Sequence, residues 1–357
     1  MKKARIFLAA AAFVFVLLLA GCGKDSEPQR EDTGSGEQEM SEEGVRIGMS
    51  FDSFVIERWI RDRDVFVSSA RELGAEVNVQ NSNGDIEEQI SQIRYLIDKE
   101  VDVLVIIAGD CSALTDVMQE ARDKGIKTIS YDRLILNAPC DLYVTFDNEM
   151  VGTLMARALK ESIPGGGEIF MIQGPEEDNN VALVRSGFLA EIEDSNLDIV
   201  YTAGCEGWRS ELAEDFVREG LAAHPGVKGI MCGNDDIATQ VIRVLSEEQM
   251  AGEVMVVGQD GDLAACQRIV EGTQTMTAFK SVESLAQEAA GYAVAMAKGE
   301  MDVREEETLD TMENGYEDVP TLLLTPVAVM KSNMKQVIID GGVHSLEDVY
   351  LNVRAGR

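Results

Sequence analysis

The chain predicts an α/β protein built as two similar lobes, each a parallel sheet with helices on both faces. From Val45 onward, short β-branched apolar runs alternate with amphipathic segments, the rhythm of βαβ units. These runs are more numerous than one sheet needs. At 357 residues and 45% hydrophobic, the chain also has the length and apolar content for two cores.

The first segment reads as an export signal. Lys2, Lys3 and Arg5 form a positive region, residues 6–19 an apolar run shorter than a bilayer needs, and Leu19-Ala20-Gly21-Cys22 matches the pattern of a bacterial lipobox, in which the cysteine is lipidated. Residues 1–21 are therefore expected to be removed, leaving Cys22 as the lipid anchor. The polar, acidic stretch 22–44 has no hydrophobic periodicity and is expected to be a flexible tether.

The body then alternates. "VRIGMSF" opens as a strand and 54–73 follows as a helix, with Glu57/Arg61 and Arg58/Asp62 at i,i+4 spacing. "AEVNVQ", "VDVLVII" and "IKTIS" continue as strands, with helices at 86–99 and 113–124 between them. "DLYVTF", "GEIFMIQ", "LDIVYT", "VKGIMC", "EVMVVG" and "TQTMTAF" follow, each trailed by a helical pattern. Turn residues at 81–85, 164–167 and 224–229 punctuate them. Residues 298–320 read as a long polar connection, and "TLLLTPVAV" as a late strand or crossover.

Composition excludes several functions. With 31 basic against 64 acidic residues, the chain lacks the basic footprint a nucleic acid requires. Besides Cys22 the cysteines are an odd, scattered set without a CxxC pair, which argues for buried thiols and against a disulfide framework or zinc site. Two histidines in unrelated contexts leave no basis for a multi-histidine metal site or histidine catalysis, and no cofactor is expected.

Ligands of open α/β sheets bind beyond the carboxyl ends of the strands. Polar and aromatic residues recur there: Asp52, Arg58 and Trp59 after the first strand, Asp132 in "YDR", Asp178, Asn179 and Asn180 in "DNN", then Trp208, Asn234 in "GND", Asp260 in "QDGD" and Lys280. Any one Asp or Asn there is more simply a helix cap or turn former, Lys280 a surface lysine and Trp208 a loop anchor. As a set they match the chemistry of a sugar. Each hydroxyl donates to a carboxylate while accepting from Asn, Arg or Lys, and the C–H faces of the ring lie on an indole or phenyl surface. Paired with Arg, Lys and Asn, the carboxylates should stay ionised, which speaks against the raised-pKa acid of a glycoside hydrolase.

Across 45–344 the motifs "ERWIRDRDVFV", "VDVLVII", "SYDRLI", "TFDNEMVG", "DNN", "GND", "GQDGDLAACQRIVEGTQTMTAFK" and "DVPTLLLTP" resemble the type I periplasmic binding proteins, the sugar receptors of ABC transporters. The resemblance implies two Rossmann-like lobes joined by a three-strand hinge, with crossings near Asn148, Lys280 and Thr321. The N-terminal lobe would be 45–147 plus 281–320, the C-terminal lobe 148–280 plus 321–349, and 350–357 a tail. It implies that Arg58 and Asp132 bind sugar oxygens from the first lobe. Asp178, Asn180, Asn234 and Asp260 would do so from the second, with Trp208 as a stacking surface, Lys280 as a hinge donor, and Trp59 and Phe54 as added wall. The implied protein is no enzyme. It is a monomeric receptor for a monosaccharide, D-xylose first, that delivers its ligand to an ABC permease; a sugar-sensing partner of a membrane receptor is the alternative. Arg58→Ala and Asp260→Ala are each expected to abolish most binding while leaving the melt of the unliganded protein nearly unchanged.

Overall fold

The computed structural model describes residues 44–353. The expected signal, nearly all of the tether and the Cys22 lipidation site lie outside them.

The first lobe begins with β1 (Val45–Phe51), α1 (Arg58–Glu72), β2 (Ala75–Asn81), α2 (Ile86–Asp98), β3 (Val103–Ile106), α3 (Thr115–Asp123), β4 (Lys127–Tyr131) and β5 (Leu142–Phe146). The chain then crosses into the second lobe, with α4 (Asn148–Ser162), β6 (Gly167–Gln173), α5 (Asn179–Ile192), β7 (Leu197–Gly204), α6 (Leu212–Ala223), β8 (Gly229–Cys232), α7 (Asp235–Glu247), β9 (Met255–Asp260), α8 (Leu263–Glu271) and β10 (Met276–Phe279). It returns for α9 (Val282–Ala297), β11 (Asp310–Glu313) and β12 (Asp318–Leu324), and ends in the second lobe with β13 (Val327–Val329) and α10 (Leu346–Val349).

The sheets run β11-β12-β5-β4-β3-β1-β2 and β13-β10-β9-β8-β6-β7. All pairs are parallel except β11 with β12 and β10 with β13, so each expected parallel sheet carries one antiparallel pair at an edge. Alternation along the strands fills two cores per sheet. In β3, Val103 and Val105 face the α1/α9 layer while Leu104 and Ile106 face α2 and α3. In β6, Ile169 and Met171 face α4 and α5, and Phe170 and Ile172 face α6 and α7. Fully burying side chains of this kind stabilises by about 1.5–3 kcal/mol each.

Three expectations change. The third crossing lies at 325–326, not near Thr321: Thr321 to Leu324 pair in parallel with Tyr143 to Phe146, and the chain leaves the first sheet only at Pro326, which has no N–H for a ladder. The polar connection 298–320 contains β11, an exposed, charged edge strand paired antiparallel to β12. Residues 350–353 are no free tail, since Tyr350 and Val353 pack against the α8 core and Asn352 Nδ2 donates to Glu271 Oε1 at 2.9 Å. No helix among the described residues is long and apolar enough to cross a membrane.

Candidate functional site

The strand ends of both sheets face one another across a crevice between the lobes. All the side chains the resemblance implies except Phe54 line it: Arg58, Trp59 and Asp132 from the first lobe, Asp178, Asn180, Trp208, Asn234 and Asp260 from the second, and Lys280 at a crossing. Phe54 instead packs on Phe51, ring centroids 5.0 Å apart, with the Arg63 guanidinium over its other side.

Arg58 is the first residue of α1 and is buried. Its Nε and Nη2 donate to the two oxygens of Asp62 at 3.1 and 3.3 Å, one turn on, and Nη2 also donates to Asp132 Oδ2 at 2.8 Å. Its Nη1 lies 3.6 Å from Asp260 Oδ1 across the crevice. The guanidinium sits 4.5 Å from the Trp59 ring centroid. Burial opposes its charge, but Asp132 and Asp62 outweigh it and hold the arginine well above its ordinary pKa.

Asp132 follows β4 with φ 63°, a left-handed conformation a non-glycine residue adopts only under constraint. The constraint is visible: its carbonyl oxygen accepts from Tyr143 Oη (2.9 Å), Thr145 Oγ1 (2.8 Å) and Asn180 Nδ2 (3.0 Å). Burial pushes the Asp132 carboxyl up, yet Arg58, Lys280 and Arg133 together hold it below the usual range, so it stays an acceptor.

In the second lobe, Asp178 and Asn234 are indeed helix caps, of α5 and α7: Asp178 accepts from the Asn180 N–H at 3.0 Å, Asn234 from the Ile237 N–H at 2.9 Å. Capping and lining the crevice coexist, because the helix N-termini point into it. The other oxygen of Asp178 accepts from Trp208 Nε1 at 3.1 Å, which fixes the indole. Gly174 makes room for that ring; a Cβ there would stand 2.4 Å from it. Lys280 Nζ lies 3.0 Å from Asp260 Oδ1.

Three residues that sequence reasoning passed over complete the wall: Ile56, Gln259 and Arg133. Arg133 is the most consequential. It is buried, donates from Nη1 to Asp52 Oδ2 and the Ala108 carbonyl, both at 2.8 Å, and places Nε 2.7 Å from Asp178 Oδ2 in the other lobe. In "YDR" it adjoins Asp132, and a regular strand would turn neighbours to opposite faces; the positive φ of Asp132 brings both to the crevice. Among these lining groups, Trp59 Nε1, Arg133 Nη2, Gln259 Oε1 and Asp260 Oδ1 are buried without a well-directed hydrogen bond to protein. Each such group costs about 1–3 kcal/mol unless something meets it.

The space enclosed is about 20 Å³, room for about one water, because ion pairs draw the lobes together. Beside it a wider crevice of about 220 Å³ shares Arg58, Asp260 and Lys280. Glu57 and Asp262 of its lining bring carboxylate oxygens within 4.8 Å of each other and of Asp236; burial, then Asp260, pushes the Asp236 carboxyl up to about 6. The five described cysteines are buried free thiols, consistent with a packing role.

Two α/β lobes with polar strand ends facing each other across a hinge define a class, and the chain belongs to it: the periplasmic binding protein domain matches residues 47–301. The D-xylose-binding periplasmic protein of Escherichia coli (strain K12) is 41% identical over 305 residues, covering 84% of this chain and 91% of that protein. The protein of the same name from Haemophilus influenzae is 40% identical over 311 residues, covering 86% and 92%. Among solved structures, an ABC transporter solute-binding protein from Clostridium phytofermentans with bound β-D-glucose superposes with TM-score 0.78 at 27% identity, covering 85% of this chain and 99% of that one.

Proposed function

We propose that the chain is the solute-binding component of an ABC sugar importer, holding one monosaccharide, D-xylose first, between its lobes. The observation that carries this reading is the crevice itself. Paired carboxylates, two guanidiniums, an ammonium and carboxamides converge from both lobes between two indoles, and Trp59 Nε1, Arg133 Nη2 and Gln259 Oε1, on residues lining the same space, have no protein hydrogen bond. The relatives named for D-xylose, at 40–41% identity, support that sugar over a hexose.

In this reading Asp132 and Asp260 accept from hydroxyls, Arg58, Arg133, Asn234 and Lys280 donate to ring and hydroxyl oxygens, and Trp59 and Trp208 cover the two C–H faces. The contacts from both lobes coexist only when the lobes are together, so the sugar selects the closed form. The closed form then meets the permease. Lipidation at Cys22 and a flexible 22–44 would hold a monomeric receptor at the outer face of the membrane.

The test is calorimetry with D-xylose, L-arabinose, D-ribose, D-glucose, D-galactose and L-fucose. D-Xylose is expected to bind tightest. A flat response to all six would end the sugar-receptor reading.

A further inference from the structure

We infer that Asp235, a carboxylate outside the crevice, is the positioning residue that aims Asp260 at the sugar; this deepens the proposed function and rests on it. Asp235 is the first residue of α7 and is 1% exposed. Its Oδ2 accepts from the N–H groups of Gly261 (3.0 Å) and Asp262 (3.2 Å) and from Thr277 Oγ1 (2.7 Å), and its Oδ1 from Gln274 Nε2 (2.8 Å). One side chain thus ties the start of α7 to the ends of β9 and β10.

The consequence falls on Asp260. That residue has φ 104° and Gly261 has φ 81°, a consecutive left-handed pair that an aspartate does not adopt by preference. The two N–H groups immediately after Asp260 are those Asp235 holds, so the carboxylate fixes the reversal that swings the Asp260 side chain toward Lys280 and Arg58. Further packing keeps Asp235 in place. Gly258 on β9 leaves it room, since a Cβ there would stand 2.4 Å from Asp235 Oδ1. Arg268 closes the ring, donating from Nε to Gln274 Oε1 at 3.0 Å and from Nη2 to the Asp235 carbonyl at 3.2 Å. Asp235 itself does not line the crevice, so any effect on sugar binding passes through the turn it holds.

The experiment is a double-mutant cycle on the full chain, with D-xylose affinity by calorimetry and unliganded melting measured for each variant. Asp235→Ala is expected to weaken binding about tenfold or more, and Asp235→Asn, whose amide oxygen still accepts from both N–H groups, to recover most of that loss. In an Asp260→Ala background, Asp235→Ala should cost less than about twofold further, because the residue it serves is gone. If Asp235→Ala does not fold, Thr277→Val, which removes the hydroxyl's bond to Asp235 and the one it accepts from the Gly261 N–H at 3.1 Å, is held to the same non-additivity. An equal fold-loss in both backgrounds would show a general structural role and overturn the inference. Absence of binding by the unaltered chain would instead bring down the proposed function, and this inference with it.

Discussion

At the residue scale, Arg58 has two duties that pull its mutants apart. Sequence position marks it as a ligand residue, and on that basis alone its removal spares the fold. Its burial says otherwise: Asp62 and Asp132 lean on it, and deleting one member of a buried charge cluster costs about 3–5 kcal/mol. Arg58→Ala is therefore expected to lower the unliganded melting temperature by roughly 10 °C and to weaken sugar binding about 30-fold or more. Arg58→Lys should keep more of the melt than of the affinity, since it retains the charge but loses the fork. Differential scanning calorimetry beside titration separates the two; an unchanged melt for Arg58→Ala would show that the carboxylates find other partners. The same scale shows what the sequence conceals. Arg58, Asp178 and Asn234 are legible because they stand at helix starts after strands. Arg133 is not, because only the left-handed backbone of Asp132 turns it inward, and that conformation has no sequence mark.

At the element scale, the alternation of runs places nearly every strand and helix, since buried strands keep their β-branched signature. What it misses is solvent-facing or bipartite. β11 is exposed apart from the half-buried Met312 and so lacks apolar alternation, and "TLLLTPVAV" is two strands in different sheets, divided by Pro326. The start of α5 shows how an element can act on binding from outside the crevice. Asn179 Oδ1 accepts from the Leu134 N–H of the opposite lobe at 3.1 Å and lies 3.5 Å from Cys111 Sγ. These contacts exist only with the lobes together and do not depend on which sugar is held. Asn179→Ala should remove about 1 kcal/mol from the closed form and weaken every bound sugar alike, roughly fivefold. Titrations of D-xylose and its next-best sugar would show both affinities falling with their ratio kept; a changed ratio would place Asn179 in ligand recognition instead.

At the scale of the whole molecule, acidity links stability to pH with a definite sign. The formal charge is −33, and several carboxyls are buried in the second lobe. Burial pushes Asp235 up to about 7, with the Thr277 donor resisting and Asp260 reinforcing, and pushes Asp236 up to about 6. A group that holds its proton more tightly when folded favours the native state below its unfolded pKa, and that advantage is lost as pH rises through the folded value. The window runs from 3.8 to about 7 for Asp235 and from 3.8 to about 6 for Asp236, and each contributes a slope of up to about 1.4 kcal/mol per pH unit while it differs between states. Carboxyls held down against burial, Asp132 by Arg58, Lys280 and Arg133 and Glu317 by the Cys140 N–H, Arg122 and Arg304, act oppositely, and their contribution is lost only on acidification toward and below the ordinary carboxylate range. Self-repulsion among the acids adds to the loss at higher pH. The unliganded protein should therefore melt highest near pH 5 and fall by several degrees toward pH 8, with Asp235→Asn flattening the slope. A melting temperature that rises steadily from pH 5 to pH 8 would show that these buried carboxyls are ionised throughout.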